Sequence, residues 1–270
     1  MVFKHLHPNY LYILEEAEKI CTSRCQLLDV GCGKGDIVEA SLNKGWSAFG
    51  LEYFEHGSGN NISDVLRTKK LLGKRVFEYD GLNFPFEDEK FDVVISNMVL
   101  EHVPNIEPIL SEVRRVLRPG GKFICLFPSK DSWREGHAEV LFAHWLPRSS
   151  IRVFWLFLFR CLGFGRLKRN KTRFGWAKYF DKWLHDHTFY LPEKEIFARM
   201  GRYFSRIERA ESSYIDYRLS LKGDSLVYVY LRDFLPSSLK SWYCRKFGAV
   251  VVICTIALHS RHAASDTYAT

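Results

Sequence analysis

The feature that most restricts this chain is an apolar run that ends in a carboxylate and three spaced glycines. Residues 26–30 read Gln-Leu-Leu-Asp-Val and lead into Gly31-Cys32-Gly33-Lys34-Gly35-Asp36. The run suits a buried strand, and a helix-period segment over residues 35–44 begins where the glycines end. Strand, glycine turn and helix together open a parallel unit, because a parallel neighbour is reached only through a crossover. Glycines in such a turn allow backbone angles closed to other residues. They also let a ligand approach the main chain beside the free amides of a helix N-terminus.

The alternation continues as far as residue 129. Strands are expected over 47–51, 75–79, 91–96 and 122–127, with a helix over 62–72. Ile106, Ile109, Leu110, Val113, Val116 and Leu117 recur at helical spacing, and Pro119-Gly120-Gly121 stops that helix. Residues 91–96 are almost wholly apolar, as befits a strand covered on both faces. The expected fold is a doubly wound, mostly parallel α/β sheet whose ligands sit beyond the carboxyl ends of the strands.

The loop spacing excludes two common cofactor classes. A dinucleotide fingerprint needs a glycine where this chain has Asp36, and the Gly-Lys-Ser/Thr ending of a phosphate loop is missing. Asp29 and Asp36 flank the loop, which disfavours a pyrophosphate and favours a ligand carrying an ammonium or sulfonium. Glu52 ends the second expected strand, where a carboxylate can accept both hydroxyls of a ribose. Asp80, at the tip of the third, is placed to accept from an adenine amino group. Each acid alone also reads as a turn or solvated strand end; acids at three successive strand tips point to a ligand site.

These residues carry a family resemblance. Leu27-Leu28-Asp29-Val30-Gly31-Cys32-Gly33-Lys34-Gly35 resembles the first motif of class I S-adenosylmethionine (SAM) dependent methyltransferases of the type 11 kind. The resemblance runs on through Gly50-Leu51-Glu52, Tyr79-Asp80-Gly81, the stretch from Phe91 to Val103 and that from Arg115 to Phe123. It implies a seven-stranded, Rossmann-like sheet whose last strand is antiparallel, with SAM as cofactor. It further implies that Asp29, Gly31 and Gly33 shape the methionine pocket, that Glu52 holds the ribose, and that Asp80 and Gly81 flank the adenine. Asn97 lies near the methionine end in the same reading. Glu101 and His102 match the family pattern after the fourth strand, where their role is often structural.

The second half differs in charge. Residues 1–128 hold 15 Lys and Arg against 18 Asp and Glu, whereas the remainder holds 24 against 13. Attraction to an anionic partner is therefore expected in the second half alone. Residues 130–190 are expected to form a mostly helical cap over the site, since a loop that long needs structure of its own. A helix from Pro192 and two last strands over 204–211 and 248–258 follow, with 259–270 expected to fray. One domain over 1–270 results: a SAM-binding core at 25–129, the cap at 130–190, and the C-terminal helix and strands at 191–258.

Between Arg148 and Lys182 ten basic residues and one acid interleave with Phe154, Trp155, Phe157, Phe159, Phe164, Phe174, Trp176, Tyr179 and Phe180. Such a segment can bury its aromatics on the sheet, lie on an anionic membrane surface, or grip a lipid-linked or phosphorylated acceptor. Nucleic acid is the least favoured partner, because strand four ends Ser96-Asn97-Met98-Val99, without the signature of exocyclic base methylation. Among the cap histidines His137 is the first candidate for general base, with His144 and His187 behind it. Each also reads as a packing histidine. His185-Asp186-His187 lacks a third ligand at fixed spacing, so no metal site is expected. A looser resemblance in the second half, through Gly136-His137, His144-Trp145-Leu146-Pro147, Asn170-Lys171 and Trp176-Ala177, is to methyltransferases of bacterial surface-glycan pathways.

The function read from sequence is methyl transfer from SAM to a small-molecule, sugar or lipid-linked acceptor, at oxygen. The alternatives are an RNA methyltransferase and a non-catalytic SAM-binding module. Seven scattered cysteines without a Cys-x-x-Cys pair are expected to be reduced thiols of a cytoplasmic protein. No signal peptide is expected at the start. The longest apolar runs, 153–159 and 249–258, fall short of the roughly 18–20 residues that span a bilayer. The location expected is therefore cytoplasmic, with peripheral contact at the inner membrane face left open.

Overall fold

The computed structural model describes residues 6–21, 24–54, 61–168, 171–223 and 225–257. In chain order the first half runs α1 (Pro8–Glu18), β1 (Gln26–Val30), α2 (Asp36–Asn43), β2 (Ser47–Glu52), α3 (Ile62–Thr68), β3 (Val76–Glu78), β4 (Phe91–Asn97), α4 (Glu107–Val116) and β5 (Leu117–Phe127). The second half adds β6 (Arg134–Glu135), β7 (Val140–Leu141), α5 (Ser150–Cys161), α6 (Arg173–His187), α7 (Glu193–Met200) and β8 (Arg206–Arg209). It closes with α8 (Glu211–Ser220), α9 (Leu226–Phe234), α10 (Ser237–Phe247) and β9 (Val250–Thr255). Residues 259–270, expected to fray, and Asn170 lie outside the described residues.

Seven strands form one sheet in the order β3-β2-β1-β4-β5-β9-β8. The pairs from β3 through β5 are parallel, and β9 runs antiparallel to both its neighbours. Strand order therefore reverses between β1 and β4, and the crevice at such a reversal is where doubly wound sheets bind ligands. Alternate residues of each strand feed two cores. Leu27, Val93, Ile95, Ile124, Leu126 and Val251 face one layer with α1, α2 and α8. Leu28, Val30, Val94, Phe123, Cys125 and Val252 face the other with α4 and α7, as the two-residue period of a strand requires.

Several expectations need correcting. β5 starts at Leu117 and takes in Pro119-Gly120-Gly121 rather than beginning after it. The helix before it has already ended at Val116, and the glycines are absorbed by a register irregularity in the β4–β5 pairing between Phe91 and Val93. Helix α3 stops at Thr68 rather than Leu72, because the chain turns at Lys70, which has φ +58°. Helices α1, α8, α9 and α10 were not anticipated. Helix α9, Leu-Val-Tyr-Val-Tyr-Leu-Arg-Asp-Phe, is apolar in sequence yet buries none of its residues. Cys21 and Cys25, expected as thiols, are joined in a disulfide, since the chain beyond α1 returns their Cα atoms to 4.9 Å. Cys32, Cys125, Cys161, Cys244 and Cys254 are free.

Residues 130–190 carry a small hairpin as well as two helices. Leu156, Trp176, Phe180 and Leu184 pack with Ala138, Val140 and Ala143 of that hairpin and its exit, a core separate from those of the sheet. Arg152 and Asp181 tie α5 to α6 through a buried pair with Nε to Oδ1 at 2.6 Å. The aromatics divide accordingly: Trp176 and Phe180 are buried, whereas Phe154, Phe164, Phe174 and Tyr179 are exposed. Among the described residues no helix is long and apolar enough to cross a membrane.

Candidate active site

At the tip of β1 the chain reverses through Gly31 and Gly33, both with positive φ. A Cβ on Gly31 would lie 2.4 Å from Cγ2 of Val99, so the loop can press against the exit of β4 only with glycine there. A Cβ on Gly33 would meet nothing within 4 Å, so this face of the loop is open. The Gly33 amide donates to Oε2 of Glu52 at 2.6 Å, which fixes the β2 carboxylate against the loop. Asp29 is buried, and burial, followed by the charges of Glu52 and Asp36, holds its carboxyl well above the ordinary range.

Helix α1 covers this end of the sheet. It starts at Pro8, with His7 as its cap: Nδ1 of His7 accepts from the Asn9 amide at 3.2 Å. The Asn9 side chain donates to Oδ1 of Asn97 at 3.1 Å, and its own oxygen accepts from Tyr214 at 2.7 Å. Arg218 donates in turn to the Tyr214 hydroxyl at 2.7 Å. Burial, followed by the negative charges of Asp29 and Asp36, pushes the Tyr10 hydroxyl up to about 12. Sequence reasoning missed Asn9 and Tyr10, although a histidine followed by proline ahead of an apolar run is a readable helix start.

Asp80 behaves differently. Its Oδ1 accepts from the amides of Leu82 and Asn83 at 2.8 and 2.7 Å, and its Oδ2 from the Asn83 side chain at 2.7 Å. These bonds, that of the Asn83 amide foremost, hold the carboxyl below its usual value. The side chain is thus engaged in its own turn, with Gly81 in the left-handed region.

The exit of β4 leads to a second cluster. Leu100–His102 form a 3-10 turn, and Glu101 is buried, with Oε2 lacking a hydrogen-bond partner among the described residues. Burial pushes its carboxyl up to about 7. His102 Nδ1 meets the backbone carbonyl of His187 at 2.6 Å, and its ring lies 5.0 Å from that of His137. His137 Nδ1 meets Oε1 of the buried Glu135 at 2.8 Å, and Tyr190 donates to the same oxygen at 2.7 Å. Burial opposes charge on Glu135, yet the bonds from His137 and the Ala138 amide bring its carboxyl below the ordinary value. His137 is likewise disfavoured as a cation by burial, and Glu135 outweighs this and raises it.

The other two candidate histidines stand beside this group. The His144 ring packs 4.8 Å from Tyr190, and burial lowers its basicity. His187 stacks on Trp183 at 5.2 Å, and Trp183 lies 4.7 Å from His137. Glu135 and Tyr190 were not foreseen. They flank His137 at separations of 2 and 53 residues, and only the first leaves a trace, as Glu135-Gly136-His137.

A doubly wound sheet of this order, with an open glycine turn and carboxylates at its switch point, defines a Rossmann-like cofactor-binding protein. Residues 28–125 match the family described as "Methyltransferase domain". The chain is 29% identical over 184 residues to a demethylmenaquinone methyltransferase of Staphylococcus saprophyticus, covering 66% of this chain and 68% of that one. It spans 64–68% of the length of the curated relatives it matches. Its fold is similar to that of the YcgJ protein of Bacillus subtilis, with TM-score 0.52 at 13% identity over 93% of this chain and 99% of the other. It is equally similar to a SAM-dependent methyltransferase of Mesorhizobium loti, with TM-score 0.52 at 13% identity over 89% and 96%. Over residues 28–125 the chain is thus similar to methyltransferase domains, and its fold is similar to that of a SAM-dependent methyltransferase.

Proposed function

We propose that the chain methylates a hydroxyl of a small-molecule acceptor with an apolar, lipid-like portion. The observation that carries this reading is the cluster of buried Glu101 with the partly buried His102 and His137, backed by Glu135 and lying just beyond the β4 end that carries Asn97. An alcohol must lose its proton as its oxygen attacks carbon, so a proton-accepting cluster is what hydroxyl methylation asks of a protein. The relatives' name identifies a quinone as their acceptor, which supports a small molecule here.

On the cofactor side, Asp29, Glu52 and Asp36 repel one another around the open face of Gly33, and a cationic ligand relieves that repulsion. SAM, when bound, supplies a methyl group on a sulfonium already activated for displacement. Asp29, Gly31, Gly33 and Asn97 would border its methionine part and Glu52 its ribose. Asp80 and Gly81 would border the adenine, with Asp80 still offering its remaining lone pairs. The protein's own work is alignment and proton removal. Asn97, held by Asn9, orients one side, and the acceptor oxygen seats at His137 on the other. His144 and His187 support Tyr190 and Trp183 by packing.

The apolar portion of the acceptor would lie along the cap. A groove of about 790 Å³ between α5 and α6 is lined by Phe154, Phe157 and Phe174 together with Arg148, Lys178 and Lys182. Apolar rings rimmed by cations suit a lipid-linked acceptor presented at an anionic membrane surface. The test is incubation with methyl-labelled SAM and an extract of the source organism, followed by separation into lipid, small-molecule, glycan and nucleic-acid fractions. Label in lipid or small molecules as a base-stable ether, lost in Glu52→Ala, is the expected result. Label in nucleic acid overturns the acceptor reading.

A further inference from the structure

We propose that Glu101, His102 and His137 form a binding site for one divalent transition-metal ion. One donor atom from each of the three lies within 4.8 Å of the other two, and His102 Nε2 stands 4.0 Å from Oε1 of Glu101. The hydrogen bonds decide which atoms are free to bind. Glu135 accepts from the His137 and Ala138 amides and from Tyr190, and as a carboxylate it can only accept from His137 Nδ1. The carbonyl of His187 can only accept from His102 Nδ1. Both histidines therefore carry their proton on Nδ1 and their lone pair on Nε2. Each also has the carboxylate or carbonyl partner that orients a metal-binding imidazole.

Glu101 supplies the second, independent observation. Its Oε2 is buried and has no hydrogen-bond partner among the described residues, a condition native interiors rarely leave in place. A cation between the carboxylate and the two imidazoles provides what that oxygen lacks. Side-chain rotations of roughly 1–1.5 Å bring the donors onto metal bonds of about 2.1 Å. Trp183 walls the site, 4.7 and 6.1 Å from the rings of His137 and His102.

Two imidazoles and one carboxylate suit zinc, cobalt, iron or manganese better than magnesium or calcium, and three protein donors leave positions open for an outside oxygen. The catalytic meaning of the ion rests on the proposed hydroxyl acceptor. An alcohol oxygen bound to the ion is acidified, and its proton passes to water while the O–H electron pair stays on oxygen. His137 then acts as a ligand, and Glu135, whose partners are His137, the Ala138 amide and Tyr190, is a positioning residue. The absence of metal expected from sequence is thereby revised, because the ligands come from segments 35 residues apart that no spacing motif joins.

Chelator-stripped protein is titrated with Co²⁺ alone and with Zn²⁺ alone, by calorimetry and by the visible absorption of bound Co²⁺. One ion per chain is expected. Affinity should fall at least about 100-fold in His137→Ala and Glu101→Gln, and about 10–100-fold in Glu135→Gln. SAM binding within about twofold of wild type verifies that each variant is folded. Stripped wild-type protein that takes up neither ion, or a His102→Ala/His137→Ala double variant that binds as tightly as wild type, overturns the site. These readouts need neither acceptor nor turnover, so their failure is distinct from failure of the proposed methylation.

Discussion

The strand-tip loop and the cap cluster are built in opposite ways. The loop uses backbone amides, glycines and acids, and most of its parts lie within one run, residues 29–36, with Glu52 at the next strand tip. The cap cluster joins side chains of residues 101–102, 135, 137 and 190 with the backbone carbonyl of His187. The first is acidic and suited to a cationic cofactor; the second is rich in imidazole and suited to an acceptor. A site shaped by backbone is inherited from its strand–turn–helix unit, whereas a site of converging side chains depends on how distant segments pack.

If the two regions are separable, substitutions should split their effects. Glu52→Ala should weaken SAM binding about 100-fold or more, since it would remove the charged hydrogen bonds proposed for the ribose, while leaving cap-site metal affinity unchanged by calorimetry. Loss of both would show that the regions are one unit. Glu135→Gln should lower kcat about 10–100-fold, with SAM affinity within about twofold. Asn9→Ala should weaken SAM binding about 10-fold and lower Tm by a few degrees, because Asn97 and Tyr214 lose their buried partner.

A subtler separation concerns charge. Burial and then Glu52 and Asp36 raise the Asp29 carboxyl, so its ionised form destabilises the fold wherever pH exceeds its folded value. Asp29→Asn should therefore raise the Tm of SAM-free protein at pH 8, and the gain should shrink as pH falls and the wild-type carboxyl takes up its proton. A gain independent of pH would show that charge is not the cause. The smallest effect belongs to the outer cap face. Phe154→Ser should change stability by no more than about 0.5 kcal/mol, since the ring is 62% exposed, and should reduce sedimentation with anionic vesicles. Unchanged sedimentation would detach the cap groove from any membrane role.

Legibility followed the same division. The strands from β1 to β5, the carboxylates Asp29 and Glu52 and the glycine turn all stand in the sequence as contiguous patterns, and the structure brings them to one sheet edge. Asp80 was visible as an acid at a strand tip, but its bonds to Leu82 and Asn83 depend on turn geometry that the sequence leaves open. His137 was legible as a candidate, while Tyr190 was not, because nothing local distinguishes a tyrosine whose hydroxyl meets a carboxylate 55 residues away.

Local periodicity and short motifs thus determined the doubly wound sheet, its cofactor class and the acidic strand tips. They could do so because strand period, glycine angles and helix starts act over a few residues. Only the tertiary structure decided that α1 closes over Asn97, that the cap has a core of its own, and that Glu101, His102 and His137 share one small volume. Those arrangements come from burial of side chains far apart in the chain, and the energy that selects them does not exist until the layers are packed.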